Sequence, residues 1–488
     1  MSILHRVKIL GLLALNLFAL TNCKSDQAAE PLTLSLDNKV AVFENTGGTS
    51  TVTASSNAPT ITATSDATWL TVAQTAGKSG TVALTLTSSE NTTTTLRSAT
   101  VTVTASTAPS IQIKVSQKPS LYPNYNTAPI AADAVGMGST ATELANKIKV
   151  GWNIGNTLEA IGGETNWGNP KVSNDLIALV KKSGFNAVRI PCSWDQYADQ
   201  TTAEIKASWL SRVKEVTQTC VNNDMYVIIN IHWDGGWLEN NCTVAKQVEN
   251  NAKQKAFWQQ IATTLRDFDE HVLFASANEP NVDDATKMGV LLSYHQTFID
   301  AVRSTGGKNA YRTLVVQGPS TDIEMTNKLM TKMPTDKVPN RMMAEIHYYT
   351  PWNFTGMTKD ESWGNQFYYW GKNFRSTTDL MHNPTWGEES TVDSFFSLMK
   401  KQFVDNGIPV IIGEFGAMRR DNLTGDALKL HLDSRAYFLY YVTKQAKANG
   451  MIPFYWDNGG LTNLSSGIFD RKTNTVYDAK ALNALVGF

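Results

Sequence analysis

Cysteine is scarce in this chain. Four occur in 488 residues, and none forms a Cys-x-x-Cys pair. That excludes a zinc ribbon and a fold built on disulfides. Histidine is also thin: seven residues with no His-x-His and no HExxH. The commonest sequence signs of a metal-dependent hydrolase are therefore missing, and no metal or cofactor is expected. Neither sign of charge prevails. Forty-three basic residues meet 44 acidic ones, for a net charge of −1, so the basic stripe that nucleic acid demands is absent. There is no GxGxxG: "GWNIGN" offers only Gly151 and Gly155, too little for a dinucleotide cradle. The apolar run near the N-terminus, "ILGLLALNLFAL", is too short to cross a bilayer in the usual way.

That run follows His5, Arg6 and Lys8 and leads into "LTNC". It fits the apolar region of a secretory signal. The small-residue site before Cys23 resembles the lipobox of bacterial lipoproteins, with Asn22 where Gly, Ala or Ser is more usual. The resemblance implies a signal peptide over 1–22, a lipidated Cys23, a polar tether over 23–30 and a protein anchored at the outer membrane, facing the cell surface. Cys192, Cys220 and Cys242 remain. Three thiols cannot all be paired internally, and the sequence leaves open whether Cys192 and Cys220 bond.

Composition shifts near residue 120. Over 31–118 the chain is rich in Thr, Ser, Ala and Val, with period-two stretches in "LTLSL", "STVTAS", "GTVALTLTSS", "SATVTVTAS" and "IQIKVSQ". β-Branched residues at that period are half-buried strands, and many short ones predict a small immunoglobulin-like β-sandwich. "ATWLTVAQTAGKSGTVALTLT", "ENTTTTLRSATVTVTA" and the closing "VSQ" resemble the BACON-type module. Its name implies carbohydrate binding. Trp69 is the only Trp in the segment, and it serves equally as a core anchor, so a spacer is the expectation. The Pro-bearing "KPSLYPNYNTAPI" follows and predicts a stiff linker over 119–129.

From 130 to 488, strand and helix patterns alternate. Strand candidates are "KVGWNIG", "NAVRIP", "MYVIINIHW", "HVLFASANE", "TLVVQG", "MMAEIHYY", "PVIIGEFG" and "IPFYWDNG". Helical patterns such as "AKQKAFWQQIATTLRDF" lie between most of them. Eight such alternations predict an α/β fold, a (β/α)8 TIM barrel, rather than an open doubly wound sheet. Chemistry in such barrels sits where the strands end, and polar residues collect there. Strand two ends on Arg189, strand three on Asn230-x-His232-Trp233-Asp234, and strand four on Asn278-Glu279. Strand six ends on His347-x-Tyr349, strand seven on Glu414, and strand eight on Trp456-Asp457-Asn458. Taken singly, several have bland explanations. Arg189 would serve as a structural ion pair, the histidines as satisfied core residues, Tyr349 as packing and Asp234 as a loop residue. Glu345, two positions before His347, reads as a buried polar plug. Glu279 and Glu414 resist such accounts, since each closes a strongly apolar strand beside a turn-forming residue.

Together "WNIGNTLEA", "RIPCSW", "NIHWD", "ANEPN", "IHYYTPW", "IIGEFGA" and "FYWDNG" resemble glycoside hydrolase family 5 over essentially all of 130–488. The resemblance implies a retaining endo-glycosidase in which Glu279 is the acid/base and Glu414 the nucleophile. It implies supporting or substrate-binding roles for Arg189, His232, Asn278, His347, Tyr349 and Trp456. Asn156, Trp233, Trp237 and Trp352 join them as candidate substrate contacts, and Trp167, Trp194 and Trp363 lie in strand-end loops that would extend the cleft. Trp233 stands where many relatives carry a second His, so that residue's contacts do not transfer. The charge of Glu414 is expected to raise the pKa of Glu279. "GWNIGNT" and "HYYTPW" resemble the subfamily rich in endo-β-1,4-glucanases. The expected partner is a β-glucan polysaccharide, xyloglucan first, with mixed-linkage glucan, cellulose and mannan as alternatives and a membrane contact through the lipid alone. A monomer is expected. A non-catalytic glycan-binding surface protein is the alternative of another class; it predicts a missing carboxylate, and neither is missing.

Overall fold

A computed structural model of the protein describes residues 30–77 and 80–487. The expected signal peptide, most of the tether and Cys23 lie outside the described residues. Among those described, no helix is long and apolar enough to cross a membrane. The chain divides into two compact units, the first ending at Lys118.

The first unit is a sandwich of two four-stranded sheets. One holds Leu34–Leu36, Gly48–Ser56, Thr81–Ser88 and Leu70–Ala76, in that order; the other holds Val40–Phe43, Ile111–Gln117, Arg97–Thr104 and Thr62–Ser65. Pairing is antiparallel except between Val40–Phe43 and Ile111–Gln117. Alternation turns Val52, Ala54, Leu84, Leu86, Val101, Val103, Ile113 and Val115 into one core, as the period-two pattern requires. Three strands carry no strong sequence signal. Val40–Phe43 and Thr62–Ser65 have four residues each, and Leu70–Ala76 is mostly exposed beyond its first residue. Trp69 packs against the sandwich core, with the Arg97 guanidinium 4.4 Å above its ring. Core and cation thus occupy an aromatic surface that a sugar would need.

The second unit is a closed barrel of eight parallel strands: Gly151–Ile154, Ala187–Ile190, Tyr226–Asn230, Val272–Ala275, Leu314–Gln317, Met342–Tyr348, Val410–Phe415 and Met451–Asp457. All eight lie where the sequence patterns put them. Residues expected to form a linker are packed onto this unit. Tyr122 and Tyr125 lie against its apolar core, and Tyr125 donates its hydroxyl to the Thr202 carbonyl at 2.8 Å.

Alternation sorts each barrel strand into an outer and an inner set. Outward residues such as Trp152, Val188, Ile229, Phe274 and Ile346 meet the surrounding helices. Inward residues form layers. The lower one is apolar: Ala187, Ile228, Leu273, Val315, Met343, Ile411, Ile452 and Phe454. The short helix Ala141–Lys147 closes that end with Leu144. Two residues further along the strands the inward set turns polar, with Asn153, Arg189, Asn230, Gln317 and Glu345 all fully buried. A buried charge is tolerated only when paired, so this layer must be a network.

Candidate active site

Arg189 is the hub of the network. Its Nη1 donates to Asn153 Oδ1 at 3.0 Å and to Glu414 Oε1 at 2.9 Å. Its Nη2 donates to Asn278 Oδ1 at 2.8 Å, and its Nε lies 3.1 Å from Glu345 Oε1. Glu345 is the buried plug expected of it. It accepts from Gln317 Nε2 at 2.6 Å and from His347 Nε2 at 3.2 Å. One carboxylate thus fixes both Arg189 and His347. Asn153 was not singled out by its sequence, although a lone amide in an apolar strand marks it. Its Nδ2 donates to the Gly413 and Tyr455 carbonyls, tying strand one to strands seven and eight.

Glu414 reaches this site through an irregularity. In strand seven Ile411 points inward and Ile412 outward, so strict alternation would send Gly413 inward and Glu414 outward. The pairing instead runs Ile346 with Ile412 and His347 with Glu414, skipping Gly413. This β-bulge re-aims Glu414 into the barrel. Glycine is required at the bulge, because a Cβ at 413 would lie 1.9 Å from Glu345 Oε1. Strand four departs from expectation in another way. It ends at Ala275, three residues before Asn278. The segment beyond is held by side chains: Gln317 Oε1 accepts the Ala277 N–H at 2.9 Å, and Glu239 Oε1 accepts the Glu279 N–H at 2.9 Å.

Carboxylate oxygens of Glu279 and Glu414 come within 4.8 Å of each other, with His347 between them. Tyr349 donates its hydroxyl to Glu414 Oε2 at 3.0 Å. His347 Nδ1 lies 2.7 Å from Glu279 Oε1 and 3.8 Å from Glu414 Oε2. Glu414 is nearly buried, whereas the Glu279 side chain is 44% exposed. The cavity beside them has a volume of about 310 Å³ and is walled in part by Tyr349, Trp352, Met418, Trp456 and Asn458.

Burial alone would lower the pKa of His347. The charge of Glu414 and the bonds to Glu279 and Glu345 outweigh it and push the pKa up to about 10. His347 is therefore an imidazolium that donates from both ring nitrogens. This corrects the expectation for Glu279. Burial raises its pKa, but the His347 bond and charge and the charge of Arg189 bring it below the usual carboxylate value. In the open cleft the shared proton sits on His347 Nδ1. Burial pushes the Tyr349 hydroxyl well up, and the Glu414 charge adds to it, so Tyr349 stays a donor. His232 is held neutral by burial and by Arg189 and His347. Its ring stacks on Trp456, centroids 5.6 Å apart and planes 8° from parallel. Trp456 is also fixed from behind, since its neighbour Asp457 accepts from Arg471 Nη2 at 3.0 Å and from the Trp152 indole at 3.1 Å.

Around the rim, buried carboxyls organise the loops. Asp234, expected to be a plain loop residue, is 2% exposed. It accepts from Ser193 Oγ and from the Trp194 and Asp195 N–H groups. It also accepts from the Trp237 indole, and burial raises its pKa to about 6. Glu159 accepts the Asn156 and Thr157 N–H groups and holds Asn156 at a φ of 59°; burial raises its pKa to about 7. The candidate aromatics divide. Trp352 lines the cavity at 50% exposure, and Trp233 is 44% exposed. Trp237 is partly buried, with Lys253 5.1 Å over its ring. Trp194 is fully buried, its indole spent on the Asn230 carbonyl, so it is packing and not cleft. Trp167 and Trp363 are exposed but do not line the cavity. Cys192, Cys220 and Cys242 are buried free thiols.

Residues 152–461 match the family described as cellulase, glycosyl hydrolase family 5. The chain belongs to glycosyl hydrolase family 5. Residues 59–118 match BACON, described as a putative N-terminal binding domain. The family 5 chain is 38% identical over 389 residues to a xyloglucan-specific endo-β-1,4-glucanase of Bacteroides ovatus, covering 76% of this chain and 74% of the relative. A solved Bacteroides ovatus family 5 xyloglucanase, in complex with an XXXG heptasaccharide, is similar with a TM-score of 0.69 at 34% identity. The likeness covers 94% of this chain and 99% of that one. A broad-specificity family 5 endoglucanase of Ruminococcus champanellensis, solved with cellotriose, gives a TM-score of 0.61 at 31% identity over 71% of this chain and 98% of that one. As a member of family 5, the protein is a glycoside hydrolase.

Proposed function

We propose that this hydrolase is a retaining endo-β-1,4-glucanase that cleaves the backbone of a plant cell-wall glucan, with xyloglucan as its main substrate. The observation that carries the reading is the approach of the Glu279 and Glu414 carboxylate oxygens to within 4.8 Å. Retaining enzymes hold their carboxyls about 5 to 5.5 Å apart, and inverting ones leave about 6.5 to 9.5 Å for a water. In the first step Glu414 attacks the anomeric carbon while Glu279 protonates the departing oxygen. The proton is the one shared between Glu279 and His347 Nδ1, 2.7 Å apart. A sugar that displaces water from the exposed side of Glu279 disfavours its carboxylate and moves the proton toward it. Once the glycosyl–enzyme ester forms, the charge of Glu414 is gone. Glu279 then takes a proton from water as the water oxygen attacks the anomeric carbon, and the bond to Glu414 breaks to return its carboxylate. Asn278 binds the sugar 2-hydroxyl, a contact that strengthens in the transition state. Trp456 supplies the flat face under the ring.

Xyloglucan is preferred because the Bacteroides ovatus relatives named above are xyloglucanases and one is matched over nearly the whole chain. Broad action on unbranched β-glucans is the second reading, supported by the likeness to the Ruminococcus champanellensis enzyme. Product analysis on xyloglucan, mixed-linkage glucan, cellulose and mannan separates them. Turnover on xyloglucan far above the others is expected; equal turnover on the unbranched glucans would favour the second reading, and mannan as the best substrate would refute both. We further propose that Cys23 carries a lipid holding the enzyme at the outer-membrane surface, with the sandwich as a spacer and the barrel acting as a monomer. The N-terminal sequence supports this. Cys23→Ala should release the protein from membranes, and continued membrane retention would refute it.

A further inference from the structure

Glu239 has no place in the mechanism above, yet it lies beside Asn278 and Glu279, two residues that the mechanism uses. It lies in the turn Glu239–Asn241 after barrel strand three and is 6% exposed. Its Oε1 accepts the Glu279 N–H at 2.9 Å. Its main-chain carbonyl accepts the Asn281 N–H at 2.9 Å. The Asn278 side chain also acts on its carboxyl, lowering its pKa. One residue therefore grips the loop that carries the acid/base along its length, where strand four no longer supplies a ladder.

The Asn278 amide has a fixed orientation. Arg189 has only donors, so the amide oxygen must face Arg189 Nη2, 2.8 Å away. The amide nitrogen has two hydrogens. One is available to the Glu239 carboxyl, whose pKa Asn278 lowers, and the other remains for substrate. We propose that Glu239 is a positioning residue of the reaction: its carboxylate orients the Asn278 amide so that the free N–H meets the 2-hydroxyl of the sugar being cleaved, and it anchors the backbone of Glu279. This rests on the glucanase reading and on the contact assigned there to Asn278.

The carboxyl is also set to ionise in the working range. Burial, with the charges of Glu279 and Glu414, raises its pKa to about 7, against the bonds from the Glu279 N–H and Asn278. Of the other groups near it, the Cys242 thiol is pushed up to about 12 by burial and by Glu239 itself, so it stays neutral. Lys287 is the cation on that side, acting on Cys242. When Glu239 is ionised its bond to Asn278 is charge-assisted, about twice as strong as the neutral form.

The test compares kcat/KM on an aryl β-cellobioside with that on its analogue lacking the 2-hydroxyl of the glucose that bears the aryl group. In the unsubstituted enzyme the ratio should rise from pH 5 to pH 8 as Glu239 ionises. In Glu239→Gln, which keeps the shape but not the charge, kcat/KM should fall about tenfold on the parent glycoside, the scale of one charge-assisted hydrogen bond. It should fall far less on the deoxy analogue, and the ratio should no longer depend on pH. Equal losses on both substrates, or a flat ratio in the unsubstituted enzyme, would overturn the proposal. The pH dependence of the ratio in the unsubstituted enzyme needs no variant and stands even where Glu239→Gln does not fold. Failure of the unsubstituted enzyme to hydrolyse both the parent glycoside and xyloglucan would overturn the glucanase reading, and this inference with it.

Discussion

Glu279 and Glu414 are the same residue type made different by what surrounds them. Glu414 is nearly buried and receives Arg189 and Tyr349, so it is aimed at one point. Glu279 has solvent on one side and an imidazolium on the other, so it exchanges a proton. The two should fail differently. Glu414→Ala removes the group placed to form the ester, and it should be inactive on polysaccharide and aryl glycoside alike. Glu279→Ala should lose about 10²- to 10⁴-fold on polysaccharide, the usual worth of a general acid. It should lose much less in the first step of an aryl glycoside whose phenol needs no protonation to leave. Steady-state and burst kinetics on both substrates read this directly. Equal losses on both for Glu279→Ala would remove it as the acid.

At the scale of the element, the decisive features are a bulge and a loop. Gly413 lets strand seven slip by one residue, which turns Glu414 inward and leaves Glu345 room. Gly413→Ala should cost about 1–3 kcal/mol of stability, as overpacking of a filled core does, and should lower activity by displacing Glu345, Arg189 and Glu414 together. A melting curve and kcat on the same preparation would show both. A stable, fully active variant would mean the bulge is incidental. The same features mark where sequence reasoning runs out. All eight barrel strands are visible as apolar runs because each must cover helices outside and fill the barrel inside. The inward polar layer is visible because Asn230 and His347 break those runs at period two. The bulge is not visible, since alternation alone would put Glu414 on the wrong face. The role of Asp234, and Glu239 altogether, are invisible for another reason. Their partners, Asn278–Glu279 and Ser193–Asp195, belong to loops of neighbouring strands, and only folding brings them within reach.

At the scale of the molecule, the buried ionisable groups set how stability follows pH. The folded pKa of Glu159 and of Glu239 is about 7 and that of Asp234 about 6, above their values of 4.5 and 3.8 in the open chain. His347 stands at about 10 against 6.5. Each raised value contributes stability at low pH that is lost as pH climbs, through 4 to 7 for the acids and 6.5 to 10 for His347. His295 at about 4 and His431 at about 3 act in the opposite sense, and their contribution disappears as pH falls below 6.5. The melting temperature should therefore peak at mildly acidic pH and decline steadily toward pH 9, with a shallower decline in Glu159→Gln. A rise from pH 6 to pH 9 would contradict the assignment. Chelation should leave activity unchanged, because His347 spends both ring nitrogens on Glu279 and Glu345; loss of activity with EDTA, restored by a divalent cation, would show otherwise. The central claim is that two carboxylates within 4.8 Å perform a double displacement. Proton NMR of the first product released from a xyloglucan oligosaccharide tests it most directly: the new reducing end should appear as the β-anomer before mutarotation, and an α-anomer appearing first would contradict the account.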